Sequence, residues 1–285
     1  MIEIGSSDAP VIMGVSPHLT PWQLWAQKLG MIEPPPENEA MRWGSHLEQR
    51  VAEGFIKEHL AQHIVGIKSG WTFSPHRTWH ATDRKWQRAT PDVIYTDYAE
   101  DRRLGLIEVK CIVGHPPSMP RIDWLIQCLH QRMVFPEAEH QYLVCYGNLH
   151  LEWWEIPRHE KAMAAVLRAE EHFLTLLETQ TPPPVRAEDA GPLSKFWRET
   201  TKETVTLGAE AVKWDEQYRF AAGIGRDYAE LKDEAEAHLK AMIGPAQSAV
   251  LPNGTRYTWR PQSRKGYTVE PKTIRVFRRM GGDDA

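Results

Sequence analysis

The sequence predicts an α/β (α+β) fold: a mixed central sheet flanked by helices, with a C-terminal long helix and β-hairpin appended. Three observations support this. Over residues 1–180 helical periodicity and strand alternation succeed one another as helices, three strands, a helix, two strands and a helix. A proline-rich break, Thr181-Pro182-Pro183-Pro184 leading to Ala190-Gly191-Pro192, then interrupts every pattern. Beyond it the composition turns to Ala, Glu and Lys, and the last stretch becomes basic. The expected organisation is a core over 1–180, a stiff linker over 181–192 and an extension over 193–285.

The elements follow in order. Ser6, Ser7 or Asp8 can cap a short first helix, and Thr20-Pro21 opens a second that stops at Gly30. After the prolines at 34–36, residues 39–61 form an amphipathic helix with Leu47, Val51, Phe55, Ile56 and Leu60 at helical spacing. Strand patterns occupy 64–74, 92–97 and 104–113, the last two joined as a hairpin across the polar residues 98–103. A helix over 122–134, strands over 140–147 and 149–156 turning at Gly147-Asn148, and a helix over 158–179 complete the core. In the extension, 207–243 suit a long helix ending at Gly244-Pro245, and Pro252-Asn253-Gly254-Thr255 reads as a hairpin turn.

Composition narrows the function classes. The 285 residues carry 34 Lys+Arg against 38 Asp+Glu, a formal charge of −4 that disfavours a general nucleic-acid coat protein. The balance is uneven. Residues 191–285 hold 16 basic and 13 acidic side chains, net +3, which leaves −7 for residues 1–190. No apolar run reaches the roughly 20 residues needed to span a bilayer, and the start lacks signal-peptide character, so a cytoplasmic protein without membrane contact is expected. Cys111, Cys128 and Cys145 have no CxxC spacing and read as reduced packing residues. Walker A and GxGxxG segments are absent, and Leu60 stands between His59 and His63 where HExxH is not met.

The most informative strand is 104–113. Alternation places Leu106, Glu108, Lys110 and Ile112 on one face and Ile107, Val109 and Cys111 on the other. Two charges inside so apolar a strand are costly unless paired, solvated or metal-bound. The preceding strand begins Thr90-Pro91-Asp92, and an antiparallel hairpin brings Asp92 beside Glu108. Two carboxylates and an ammonium then converge. Glu48 shares the buried side of the 39–61 helix with Ala52, Phe55 and Ile56 and can add a third carboxylate. These residues fit a metal site or a structural ion pair. Glu230-Leu231-Lys232 repeats the Glu-x-Lys pattern, but on a helix, where positions i and i+2 diverge.

Pro91-Asp92 followed by Glu108-Val109-Lys110 resembles the PD-(D/E)XK nuclease signature. The surrounding segments MRWGSHLEQRVAEGF (41–55), ATPDVIY (89–95), LIEVKC (106–111) and WLIQCLHQRMVF (124–135) are similar to the YqaJ-like, lambda-exonuclease-type viral recombination nucleases, and residues 5–30 resemble that family's entry segment. The resemblance covers roughly residues 5–156 and implies a restriction-endonuclease-like PD-(D/E)XK core. It implies a Mg²⁺-dependent 5′-to-3′ exonuclease on double-stranded DNA, releasing 5′-mononucleotides and leaving 3′ overhangs for annealing. Alternatives within reach are an endonuclease of the same superfamily, of restriction or junction-resolving type, and a non-catalytic DNA-binding protein on this fold.

Residue by residue, the resemblance makes Asp92, Glu108 and Lys110 the central triad, Glu48 the helix carboxylate and Gln127 the glutamine of the following helix. On pattern alone Gln127 also reads as a solvent-facing amide beside Gln131. Two Mg²⁺ ions, with Mn²⁺ as substitute, would be held by Asp92, Glu108, the Val109 carbonyl and Glu48. Lys110 would orient or deprotonate the attacking water, or neutralise the transition state. Ser7 and Thr90 match positions that contact a 5′ phosphate. The family's arginine upstream of that serine has no counterpart before Ser7, and Arg42 or Arg88 are the candidates to replace it. The family also implies a ring-shaped homotrimer, a 5′-phosphorylated linear duplex as substrate, a single-strand annealing recombinase as partner and a prophage or bacterial-host setting.

Overall fold

A computed structural model describes residues 2–60, 71–73, 77–97, 103–196, 209–243, 248–250 and 256–258. Contacts divide the chain into Met1–Trp197 and Arg198–Ala285. The first unit contains β1 (Ile4–Gly5), α1 (Ala9–Ile12), α2 (Pro21–Lys28), α3 (Glu39–Phe55), β2 (Trp71–Phe73), β3 (Trp79–His80), β4 (Gln87–Ala89), β5 (Val93–Asp97) and β6 (Arg103–Cys111). It continues with α4 (Ile122–Val134), β7 (Ala138–Gly147), β8 (His150–Glu155), α5 (Glu160–Glu178) and α6 (Ala190–Phe196). The second holds α7 (Glu210–Ile243), β9 (Ser248–Val250) and β10 (Arg256–Thr258), the last two paired antiparallel. The expected hairpin turn at 252–255, the basic stretch beyond 258 and most of the expected strand 64–74 lie outside the described residues.

Local chemistry accounts for the element ends. Thr20 accepts from the Gln23 N–H at the start of α2, and Asn38 does the same from Met41 for α3. Helix α2 stops before Gly30, whose φ of +70° suits glycine. A π-helical turn, Ile56–Leu60, follows α3. Between β7 and β8 the turn residues Asn148 and Leu149 both have positive φ, 45° and 64°, the geometry of a tight two-residue hairpin.

The central sheet runs β2-β5-β6-β7-β8, with β6 and β7 parallel and the other pairs antiparallel. Parallel neighbours need a crossover, and α4 supplies it. The mixed sheet flanked by helices matches the expected fold class. A small second sheet, β1-β4-β3, was not expected, because strands of two or three residues show no period to read.

Each sheet face packs a different helix. Ile107 and Val109 join Val51, Ala52, Phe55 and Ile56 of α3, with Val93, Tyr95, Tyr142 and Val144, in the largest core cluster. Each buried Val, Ile or Phe side chain contributes roughly 1.5–3 kcal/mol. On the opposite face, Leu106 packs with Val134, Phe135 and Ala138. Ile112 there lies against Trp124, Cys128, Leu143 and Cys145. Leu47 departs from the expected apolar face: it is exposed, beside Trp43 and Val113 along a surface hollow. After the proline-rich break, Leu193 and Phe196 pack back onto the cluster of Trp22 and Trp25, so α6 belongs to the first unit.

Candidate active site

Strand alternation puts Glu108 and Lys110 on the α4 face of β6, and α4 meets them with Gln127 and Gln131. Lys110 Nζ donates to Glu108 Oε1 at 2.8 Å and to Gln127 Oε1 at 2.9 Å. Gln127 Nε2 donates to the same Glu108 oxygen, closing a three-membered ring of contacts. Gln131 Nε2 donates to Glu108 Oε2 at 2.6 Å, and its Oε1 accepts from Gln141 Nε2 at 2.8 Å. A buried carboxylate demands such partners; Glu108 is 3% exposed. Gln127 is therefore turned into the site rather than toward solvent.

Asp92 arrives from the neighbouring strand. Val93 and Ile107 form the last rung between β5 and β6, so Asp92 stands one residue beyond the ladder. There its carboxylate replaces a backbone acceptor, taking the Val109 N–H at 2.7 Å on Oδ2. Burial first, and then the charges of Glu108 and Glu48, push the Asp92 carboxyl well above the usual carboxylate range, against the pull of Lys110 and the Val109 N–H. Glu48, half-buried on α3, is also raised, by burial and by Glu108. Burial alone would lower the Lys110 ammonium, but the Glu108 and Asp92 carboxylates hold it above its ordinary value. Lys110 is thus kept as a proton-bearing cation.

Among the described residues, no three His, Cys, Asp or Glu side chains form a ready-made metal cage. The donor chemistry nonetheless fits a hard divalent cation. The Glu108 charge is close enough to raise both the Asp92 and the Glu48 carboxyls, and the Val109 carbonyl follows Glu108 directly on the strand. The free cysteines fit their expected packing role: burial pushes Cys111 and Cys145 up to about 11 and Cys128 higher still.

The residues expected at a 5′ phosphate are placed unevenly. Ser7 is exposed in the turn between β1 and the four-residue α1, beside the Asp8–Lys28 ion pair. Strand β1 lies parallel to β4 with Gly5 opposite Arg88, so Ser7, Arg88 and Thr90 belong to adjoining strand ends. The Arg88 guanidinium pairs with Glu3 at 3.1 Å, and Thr90 bonds Thr78 at 3.1 Å. Arg42 is exposed on the first turn of α3, and no described contact joins it to the other three.

A buried network absent from the sequence reading supports this region. His130 Nε2 donates to the Arg88 carbonyl at 2.8 Å, while its Nδ1 lies 2.6 Å from Glu170 of α5. Gln87 Nε2 donates to the other Glu170 oxygen at 2.8 Å. Helix α4 is thereby fastened to β4, two residues before Thr90, and to β6 through Gln127 and Gln131. The available signals were the i, i+4 spacing of Gln127 and Gln131, and Glu170 standing inside the apolar stripe Met163, Val166, Phe173 and Leu177.

Residues 2–134 match the model of the YqaJ-like viral recombinase domain. No curated protein matches the chain. Among solved structures, it is similar to the alkaline exonuclease LHK-Exo from Laribacter hongkongensis, and to LHK-Exo in complex with dAMP. Each shares 18% identity over 62% of this chain and 89% of that one, with a TM-score of 0.47. The structure of SSO0001 shares 15% identity over 65% of this chain and 80% of that one, with a TM-score of 0.38. The YqaJ-like match spans β1 to the end of α4 and so includes Glu48, Asp92, Glu108, Lys110 and Gln127.

Proposed function

We propose that the protein is a Mg²⁺-dependent 5′-to-3′ exonuclease on double-stranded DNA that serves phage-type recombination. The observation supporting this reading most directly is the junction of Asp92, Glu108, Lys110 and Gln127 at the β5/β6 edge of a YqaJ-like domain. In the reaction, water adds to the phosphorus, the P–O3′ bond breaks, and a 5′-mononucleotide leaves, so that a 3′ overhang grows.

Asp92, Glu108 and the Val109 carbonyl would hold the cation, with Glu48 assisting. A bound divalent ion would lower the pKa of a water and offset charge on the phosphate oxygens. The remaining work falls to the chain. The Val109 N–H fixes the Asp92 carboxylate, and Gln127 fixes Lys110 Nζ. Lys110, a charged donor, would direct an N–H to the attacking water or to a non-bridging phosphate oxygen. Arg88 is the better placed of the two candidate phosphate-binding arginines, since it shares the β1/β4 edge with Ser7 and Thr90. A ring-shaped homotrimer, Mn²⁺ as substitute and delivery of the 3′ strand to a single-strand annealing recombinase complete the proposal.

The test uses end-labelled linear duplex DNA with 5′-phosphate or 5′-hydroxyl termini, beside a covalently closed circle, in Mg²⁺ and in EDTA. The expected result is mononucleotide release from the 5′ strand in Mg²⁺ alone, faster from phosphorylated ends, with the circle intact. Cutting of the circle would replace the exonuclease with an endonuclease. No nucleotide release under any condition would leave a non-catalytic DNA-binding role.

A further inference from the structure

A cavity of about 430 Å³ opens between the end of α4, the start of α5 and the turn before β4, and none of the proposed catalytic residues lines it. Three arginines do: Arg84, Arg132 and Arg158. Arg132 is the unusual one. It is 2% exposed, and its guanidinium gives three of its four Nη protons to the backbone carbonyls of Ile156, Ala138 and Glu139. Its Nε has no hydrogen-bond partner. Among the described residues no carboxylate pairs with it, so a full positive charge is buried against neutral dipoles. Such a charge is costly to keep without an anion.

The other two arginines also donate to neutral acceptors, Arg84 to Gln87 Oε1 and the Met133 carbonyl and Arg158 to the Pro136 carbonyl. Arg84 pairs with Asp83 and Arg158 with Glu160, but those carboxylates are 68% and 72% exposed. Exposed pairs of this kind are worth only about 0–1 kcal/mol, so a competing anion can displace them. Guanidinium forks match the oxygens of phosphates and carboxylates in bidentate fashion. Asp83, Glu160 and Thr82 also line the cavity, and its apolar part is formed by Met133, Met163 and Leu167 with Pro136 and Ala164. A volume of this size suits a small organic ligand.

We propose that this cavity binds a small phosphate monoester of nucleoside monophosphate size, its phosphate on Arg84, Arg132 and Arg158 and its base against Met133, Met163 and Leu167. The assignment does not depend on the nuclease reading. Occupancy would brace α4 at Arg132, the residue after Gln131, which bonds Glu108.

Isothermal titration of the full chain in EDTA tests it, with thymidine monophosphate, inorganic phosphate and thymidine as probes. Wild type is compared with Arg158→Ala, Ala164→Glu and Asp92→Asn. Ala164 lines the cavity and is exposed, so a carboxylate there repels phosphate without disturbing the core. Thymidine monophosphate should bind saturably, inorganic phosphate more weakly, and thymidine at least roughly tenfold more weakly than its monophosphate. Arg158→Ala and Ala164→Glu should each weaken the monophosphate by roughly tenfold or more, and Asp92→Asn should leave it unchanged. Stronger binding of inorganic phosphate than of the monophosphate would remove the nucleoside and keep the anion site. Absence of saturable binding, binding that survives both cavity variants, or binding lost in Asp92→Asn would overturn the proposal.

Discussion

Replacing Lys110 by methionine keeps most of the side-chain volume and removes the cation from Glu108. Breaking a buried pair from one side costs about 3–5 kcal/mol when the remaining charge is left wholly unpaired. Here Gln127 and Gln131 still donate to Glu108, and Lys110 is 23% exposed against 4% for the Glu108 side chain. The expected loss is therefore smaller, about 2–3 kcal/mol. Glu108→Gln leaves Lys110 facing Asp92 and should cost about 1–2 kcal/mol. The double variant removes both charges together, and buried pairs exchanged for neutral groups are often close to neutral. It should lie within about 1 kcal/mol of wild type, a coupling of roughly 2–5 kcal/mol. Urea unfolding in EDTA, followed by tryptophan fluorescence, measures all four chains. Additivity within about 0.5 kcal/mol would refute the ion-pair argument. In Mg²⁺ every variant should lose cleavage by about three orders of magnitude while DNA binding changes little. Substantial turnover by Lys110→Met would remove Lys110 from the chemistry.

Three further outcomes are expected. Gly105 sits opposite Tyr95 in the β5/β6 ladder, and a Cβ there would fall inside the tyrosine ring. Gly105→Ala should lose about 2–3 kcal/mol in the same urea assay, and an unchanged midpoint would contradict that packing. Gln131→Leu strips a donor from Glu108 and an acceptor from Gln141, whose Oε1 already has no hydrogen-bond partner. A loss of about 2–3 kcal/mol is expected, and a neutral result would mean the network is not felt. Because Asp92 is raised in the folded chain, the native state holds that proton more tightly than the unfolded state. Its contribution to stability is then fullest below about pH 4, the ordinary carboxylate value, and is lost as pH rises through the raised folded value. Asp92→Asn should therefore be the more stable protein at pH 8 in EDTA, with the gap closing toward pH 4, and without cleavage. Parallel stability profiles would show that Asp92 carries no such strain.

Much of this is legible in the sequence. Period-two alternation put Glu108 and Lys110 on one face, and Pro91 marked where β5 starts, with Asp92 just ahead of it. Helix α4 spans 122–134 as its apolar spacing required. The Ser7, Thr90 and Arg88 grouping was harder, because it depends on β1 and β4, which are too short to show a pattern.

What local sequence determined, then, is which residues share a face of one strand or helix, since that follows from backbone geometry alone. The tertiary structure decided which faces meet. Gln127 and Gln131 are ordinary polar residues on a helix until β6 brings a buried carboxylate opposite them. His130 and Glu170 lie 40 positions apart and become a pair only when α5 packs on α4. The same holds for Arg132, Arg84 and Arg158: no spacing announces them, and only packing buries one cation beside two others. Neutral amides and distant charges carry no periodic signature, so their roles arise from the partners that folding supplies.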